Sequence, residues 1–130
     1  MTGRRYGVIC HLPGKKKGEV VLVTRKSRKE WILPKGRRIA GKSGSRSALR
    51  EAYEEGGLKG RVFTGKKAEV TSTQNGKKVR LTLYYMRIDK LLKRWPERGQ
   101  RKRVVVSHAE AVKLVSCSGM RRGLKRLGKG

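Results

Sequence analysis

Three glutamates crowd the stretch REAYEEGG, residues 50–57, of a chain that is otherwise poor in acids. The 130 residues include 36 Lys and Arg but 9 Asp and Glu, which gives a formal net charge of +27. Glu51 and Glu55 stand four positions apart, a spacing at which like charges destabilise a helix by roughly 0.2–0.5 kcal/mol. Arg50 has the spacing to pair with Glu54, but no cation stands between Glu51 and Glu55. Converging carboxylates of this kind suit a hard divalent cation such as Mg²⁺.

The glutamates need an element that holds them together, and the pattern predicts a helix over residues 45–55. Apolar residues recur at spacings of three and four between Ala48 and Tyr53, which is typical of a helix with one buried face. The pair Gly56-Gly57 is expected to end the helix. The glutamates then share the opposite face, which we expect to be exposed.

The rest of the chain predicts a sheet with further helices in one domain spanning residues 1–130. β-Branched and apolar runs between turn residues predict strands at about 5–12, 19–24, 61–72 and 78–88. Asn75-Gly76 predicts a tight antiparallel hairpin between the last two of these strands. Ser107 is expected to cap a second helix, with Glu110 completing a capping box. A short amphipathic helix follows from Ser118.

The glutamate stretch is one part of a longer pattern over residues 36–58. Gly36 is followed by Lys42, then by Arg50-Glu51, Glu54-Glu55, Gly57 and Leu58. This stretch resembles the Nudix box at every position except Lys42, where the family has a glutamate. The stretch GEVVLVTRKSRKEWILPKG and the order of elements after the box resemble the Nudix branch that hydrolyses diphosphoinositol polyphosphates and diadenosine polyphosphates. The resemblance implies an α/β fold, a Nudix α/β/α sandwich with a mixed β-sheet.

The resemblance also implies an enzyme that cleaves a diphosphate linkage in a polyphosphorylated small molecule. Glu51 and Glu55 would ligate Mg²⁺ or Mn²⁺ together with the backbone carbonyl of Lys35. Glu54 would hold a further metal or orient the attacking water, and Arg50 would brace the glutamates. By the same resemblance, the residues expected around the phosphate pocket are Arg4, Lys26, Arg101 and Arg103.

Lys42 is the departure from the family pattern that matters most. A cation would face Arg50 where the family has a counter-charge, so we expect a looser loop and activity below the family norm. Lys42 also completes a P-loop pattern, GRRIAGKS, at residues 36–43. Gly44 would then fall in the first helical turn, and the chain predicts an antiparallel hairpin where P-loop proteins have a parallel sheet. A P-loop nucleotide binder is therefore a weaker hypothesis than a Nudix hydrolase.

The net charge supports a further hypothesis, a Nudix-fold protein with impaired catalysis that binds nucleic acid and other polyanions. A charge of +27 attracts phosphates without regard to sequence. The cations are scattered from Arg4 to Lys129, as in a charged shell, which adaptation or deliberate engineering of the surface would produce.

The cysteines, histidines and apolar runs indicate a cytoplasmic protein with structural histidines. Cys10 and Cys117 have no partner at metal-binding spacing, which favours a reducing compartment. His11 and His108 lack a partner that would suggest a catalytic pair, so we expect both to be structural. No apolar run approaches the length of a bilayer span, and the sequence indicates no oligomeric state.

Overall fold

The computed structural model describes residues 3–13, 19–26, 28–74 and 76–127. They form a seven-stranded mixed sheet with helices on both faces, as the resemblance implies. The strands are β1 (Gly3–Leu12), β2 (Glu19–Thr24), β3 (Trp31–Ile32), β4 (Lys35–Gly36), β5 (Leu58–Gln74), β6 (Lys77–Leu91) and β7 (Arg103–Ser107). The helices are α1 (Gly44–Gly56), α2 (His108–Leu114) and α3 (Ser118–Leu127).

The sheet is mixed because β1 and β6 run parallel while the other strand pairs are antiparallel. The strand order is β3-β2-β1-β6-β5, with β4 paired to β1 and β7 paired to β2. A parallel sheet built from repeated βαβ units is thus not the architecture of this chain, which removes the context that a P-loop requires. No helix in the described ranges is long and apolar enough to cross a membrane.

Alternation along the strands divides the core into two layers. Val8 and Cys10 of β1 pack with Ala48 and Ala52 of α1 on one face of the sheet. Ile9, between them, packs on the opposite face with the core beneath α2 and α3. Successive side chains of a strand point to opposite faces, so one apolar run serves both layers.

The predicted elements are found with small shifts of their ends. The box helix begins at Gly44, where the Ser43 hydroxyl accepts a hydrogen bond from the Arg46 amide at 3.2 Å. Ser107 caps α2 in the same way by accepting from the Glu110 amide at 3.0 Å. The predicted hairpin joins β5 and β6 with φ of 77° at Gly76, while Asn75 lies outside the described residues. The two-residue strands β3 and β4 were not predicted.

His11 and His108 turn out to be partners across the sheet. The Nε2 atom of His108 lies 2.8 Å from the carbonyl oxygen of Leu124 and must donate to it. Its Nδ1 atom therefore accepts from the Nε2–H group of His11, 3.3 Å away. This leaves the buried Nδ1 atom of His11 without a partner in the described part of the chain. Burial, with His108 and Lys66 nearby, lowers the pKa of His11 to about 4.

We expect the His11 pair to weaken the fold in acid. The folded-state pKa of His11 lies below the ordinary value of 6.5. The contribution of neutral His11 to the free energy of unfolding is therefore fully present above pH 6.5 and is lost as the pH falls towards about 4. His11→Leu cannot titrate and should remove this part of the pH slope. Urea unfolding of the parent and of His11→Leu across that pH range gives the slope of the unfolding free energy against pH. Identical slopes for the two proteins would contradict a lowered pKa of His11.

Gly57 ends α1 in a left-handed conformation, and the Trp95 ring leaves no room for a side chain at this position. Its φ is 64°, and an added Cβ would lie 2.7 Å from a ring carbon of Trp95. Gly76 has a similar φ of 77° but nothing within 4 Å of an added Cβ. We expect Gly76→Ala to cost about 1–2 kcal/mol from backbone strain and Gly57→Ala clearly more. Urea unfolding free energies measure both, and equal costs would show that the Trp95 contact is unimportant.

Candidate active site

The Glu51 and Glu55 carboxyl groups lie together between α1 and β4. Glu55 is 4% exposed, and its Oε1 atom accepts a hydrogen bond from the Lys35 amide at 3.3 Å. Glu51, one turn earlier, is half-buried against Gly36, where an added Cβ would lie 2.5 Å from the Glu51 Cδ atom. A glycine at position 36 therefore lets the Glu51 carboxyl rest against the backbone of β4.

Burial of the two carboxyl groups shifts their protonation. It raises the pKa of Glu55 to about 8, a shift that Arg101 opposes and the neighbouring Glu51 increases. Burial also raises the pKa of Glu51, and the nearby Glu54 and Glu97 carboxylates add to the rise. Two carboxyl groups this close are not both readily ionised unless a cation joins them.

Arg101 is the cation that approaches this pair. Its side chain is 12% exposed, and its Nη2 atom lies 3.7 Å from Oε2 of Glu55. Its Nε atom donates to Glu97 at 2.7 Å, and its Nη1 atom donates to the Thr24 carbonyl at 3.0 Å. These contacts fix the guanidinium group between the sheet and the end of α1.

The loop between β6 and β7, together with Arg103 at the start of β7, satisfies the last carbonyls of α1, which have no partner within the helix. The Trp95 indole donates to the Glu55 carbonyl at 3.0 Å, and the Glu97 amide donates to the Glu54 carbonyl at 3.0 Å. The Arg103 guanidinium donates to the Gly56 carbonyl at 2.8 Å. The Arg103 guanidinium also lies over the Trp95 ring, 4.3 Å from its centroid. The loop thus holds the helix turn that carries the glutamates.

Glu54 differs from its two neighbours because it reaches solvent. Its Oε2 atom accepts from the Arg50 Nε atom at 2.6 Å, and the side chains are 31% and 51% exposed respectively. The spacing that allowed Arg50 to pair with Glu54 is used in the structure. The expectation that all three glutamates lie on an exposed face is wrong, because the end of α1 packs Glu55 beneath the Trp95 loop and against β4.

A cavity of about 560 Å³ is lined by Arg101, the residue that approaches Glu55, although the glutamates themselves do not line it. Trp31 forms an apolar wall, and the other cationic lining residues are Arg28, Lys29, Arg98 and Lys102. A cavity of this volume accommodates a small molecule. Its charge suits a ligand that carries several phosphates.

The four cations predicted around the phosphate pocket lie at different places in the fold, and their roles stay a prediction. Arg101 lines the cavity, but Arg4 lies exposed at the start of β1, opposite Arg80. Lys26 lies exposed after β2, and Arg103 is engaged by Trp95 and Gly56. None of these three lines the cavity described here.

Sequence reasoning missed Glu97 and Trp95, although one signal was present. Glu97 is a rare acid in the basic loop KRWPERGQRKR and stands four residues before Arg101. Lys35 contributes its amide to Glu55, while a metal-ligating role for its carbonyl stays a prediction. Within the described ranges, no group of three or more His, Cys, Asp or Glu side chains is arranged to hold a metal ion.

Fold and site together define an α/β/α sandwich protein with a half-buried acidic helix face beside a basic cavity. The NUDIX domain family model matches residues 1–122. The chain belongs to the Nudix family and is a hydrolase of phosphoanhydride bonds. Enzymes of this family generally use divalent metals.

The chain is also similar in sequence or structure to individual members of this family. Human diphosphoinositol polyphosphate phosphohydrolase 3-beta is 28% identical over 117 residues, which cover 88% of this chain and 70% of that protein. An Ap4A hydrolase binary complex from C. elegans superposes with a TM-score of 0.80 at 17% identity, covering 96% of this chain and 94% of that one. The Nudix hydrolase RenU from M. smegmatis gives 0.72 at 19% identity, covering 96% and 83%. The two structures confirm the predicted fold.

We expect Arg101 to be hard to replace even by another cation. Arg101→Lys keeps the charge but cannot reach Thr24, Glu97 and Glu55 together, so it should lower the free energy of unfolding by about 1–3 kcal/mol. Arg98→Lys, at an exposed position of the same loop, should change it by less than about 0.5 kcal/mol. Urea unfolding measures the free energy for both variants. An unchanged free energy of unfolding in Arg101→Lys would show that Arg101 does not support Glu55.

Proposed function

We propose that the protein is a Mg²⁺- or Mn²⁺-dependent pyrophosphohydrolase that cleaves a diphosphate linkage in a diphosphoinositol polyphosphate or a dinucleoside polyphosphate. The buried Glu51–Glu55 pair beside a basic cavity is the observation that carries this proposal. The names of the human relative and of the C. elegans structure support the two substrate classes. The two free cysteines support a reducing, cytoplasmic location.

The donor set fits a divalent cation. Glu51 and Glu55 present carboxyl oxygens, the ligands that Mg²⁺ prefers. Burial raises the pKa of both groups, and a bound cation would favour their ionised forms. We assign metal binding to Glu51 and Glu55, with Glu54 and the Lys35 carbonyl as further ligands. When bound, the cation neutralises diphosphate charge and lowers the pKa of a coordinated water.

The protein groups around this pair have separate tasks. The Lys35 amide and Arg101 hold the Glu55 carboxyl in place. Arg50 contacts the Glu54 carboxylate at 2.6 Å. In our proposal, Glu54 would in turn orient the attacking water. Removal of a water proton by a positioned carboxylate is ordinary general-base chemistry.

The cavity beside Arg101 is our candidate for the substrate pocket. Arg28, Lys29, Arg98 and Lys102 would bind phosphate groups, and Trp31 offers a flat surface for a sugar, inositol or base ring. Because Arg101 lines the cavity and also approaches Glu55, a substrate in the cavity would have its phosphates close to the glutamates.

An impaired enzyme that binds polyanions is the second candidate, and the placement of Arg4 opposite Arg80 on the sheet favours it. These cations contribute nothing to the cavity described above. Retained, sequence-independent binding of nucleic acid at low salt without turnover of any substrate would favour this candidate.

We expect Glu55→Gln to lower turnover by about 100-fold or more, because it removes the charge of a metal ligand at nearly constant shape. Burial already favours the neutral form of Glu55, so the variant should fold. The matched control is Glu69→Gln, which removes an exposed acid that pairs with Arg80 on the hairpin.

Hydrolysis products are separated by ion-exchange chromatography and quantified for inositol pyrophosphates, diadenosine polyphosphates, ADP-ribose and ATP, with and without Mg²⁺. Equal rates for the parent, Glu55→Gln and Glu69→Gln would contradict the assignment of the glutamates. If the parent protein were equally active with and without Mg²⁺, the proposed dependence on a divalent metal would be wrong.

A further inference from the structure

The outer side of α1, away from β4, forms a second basic depression, which shares Arg50 with the groups assigned to hydrolysis. We call it the box-helix groove. Its volume is about 630 Å³, and it is lined by Lys42, Arg46, Leu49, Arg50, Tyr53 and Lys59. Four of these six side chains are cations.

The cations in the groove have little compensating negative charge. Arg46 and Arg50 are four residues apart on α1, a spacing at which like charges repel by roughly 0.2–0.5 kcal/mol. The acid that contacts this set, Glu54, is bonded to Arg50. Lys42 adds a further positive charge at the box position where the family pattern has a glutamate. The groove therefore gathers positive charge that an anion would stabilise.

The Tyr53 ring indicates which part of an anion the groove recognises. The Arg50 guanidinium lies 5.1 Å from the ring centroid and the Lys59 ammonium 6.0 Å from it. Because two cations already contact this ring, it is poorly placed to stack on a nucleobase. The groove thus presents guanidinium and ammonium donors, which bind phosphate oxygens.

We propose that the box-helix groove binds the phosphate chain of a small polyphosphate anion, at a site separate from the cavity beside Trp31. Arg46 and Arg50 offer donors to neighbouring phosphates, and Lys42 and Lys59 add two ammonium groups to the lining. A volume of this size fits a small molecule. Binding requires neither a divalent metal nor turnover, so the proposal stands apart from the proposed function.

The test is a ¹⁵N NMR titration with tripolyphosphate in metal-free buffer at an ionic strength of about 0.15 M, where diffuse attraction is screened. We expect saturable shifts of residues around the groove. The double variant Arg46→Gln/Lys59→Gln should weaken binding by about tenfold or more. The matched control Lys113→Gln/Lys125→Gln removes the same charge from exposed positions on α2 and α3 and should weaken it by less than about twofold.

The alternatives are distinguished in the same experiment. Equal weakening by the two double variants, or shifts spread over the whole surface, would mean diffuse charge and overturn the proposal. Shifts confined to Arg28, Arg98 and Lys102 would place the anion in the other cavity and also overturn it. ATP should bind the groove about as tightly as tripolyphosphate. Much tighter binding of ATP or of a single-stranded oligonucleotide would show that a base is recognised, against the proposal.

Discussion

The Glu55 carboxyl group is buried where α1, β4 and the loop before β7 meet, and its burial constrains all three. A buried ionisable group costs several kcal/mol unless hydrogen bonds or a counter-charge compensate it. The Lys35 amide and the Arg101 guanidinium provide these at 3.3 and 3.7 Å respectively. β4 must therefore run beside the helix, and the loop must return to it. The Gly36 and Gly57 contacts with Glu51 and Trp95 follow from the same close packing.

The box helix could be predicted because its signals are local. Helical spacing and the Gly56-Gly57 pair act within one stretch of chain, and the structure shows α1 at Gly44–Gly56, one residue longer than predicted at each end. The partners of Glu55 could not be predicted, since Arg101 and Trp95 are brought to it by the return of a distant loop. The same holds for β3 and β4, whose two residues each are strands through pairing with β2 and β1. The His11–His108 contact joins residues 97 positions apart and gave no signal in the sequence.

Acids and cations are distributed unequally over this molecule. Four of the nine acidic residues, Glu51, Glu54, Glu55 and Glu97, surround the end of α1. The buried core keeps ordinary apolar residues such as Ile9, Leu22 and Leu83. The excess cations are thus a property of the surface, while the sites that need carboxylates retain them. The chain thus combines a net charge of +27 with the architecture of its family.

The surface charge and the glutamate pair influence each other weakly, for a physical reason. At an ionic strength of about 0.15 M, exposed charges are screened beyond about 8 Å. The pKa of Glu55 accordingly depends on local causes, which are its burial, Arg101, Glu51 and the Lys35 amide. Exposed cations such as Lys113 or Lys125 act on anions in solution, where they raise the rate of approach without selecting a substrate. Interactions among buried groups such as Glu55 and Arg101 are screened much less by salt than those of the exposed cations.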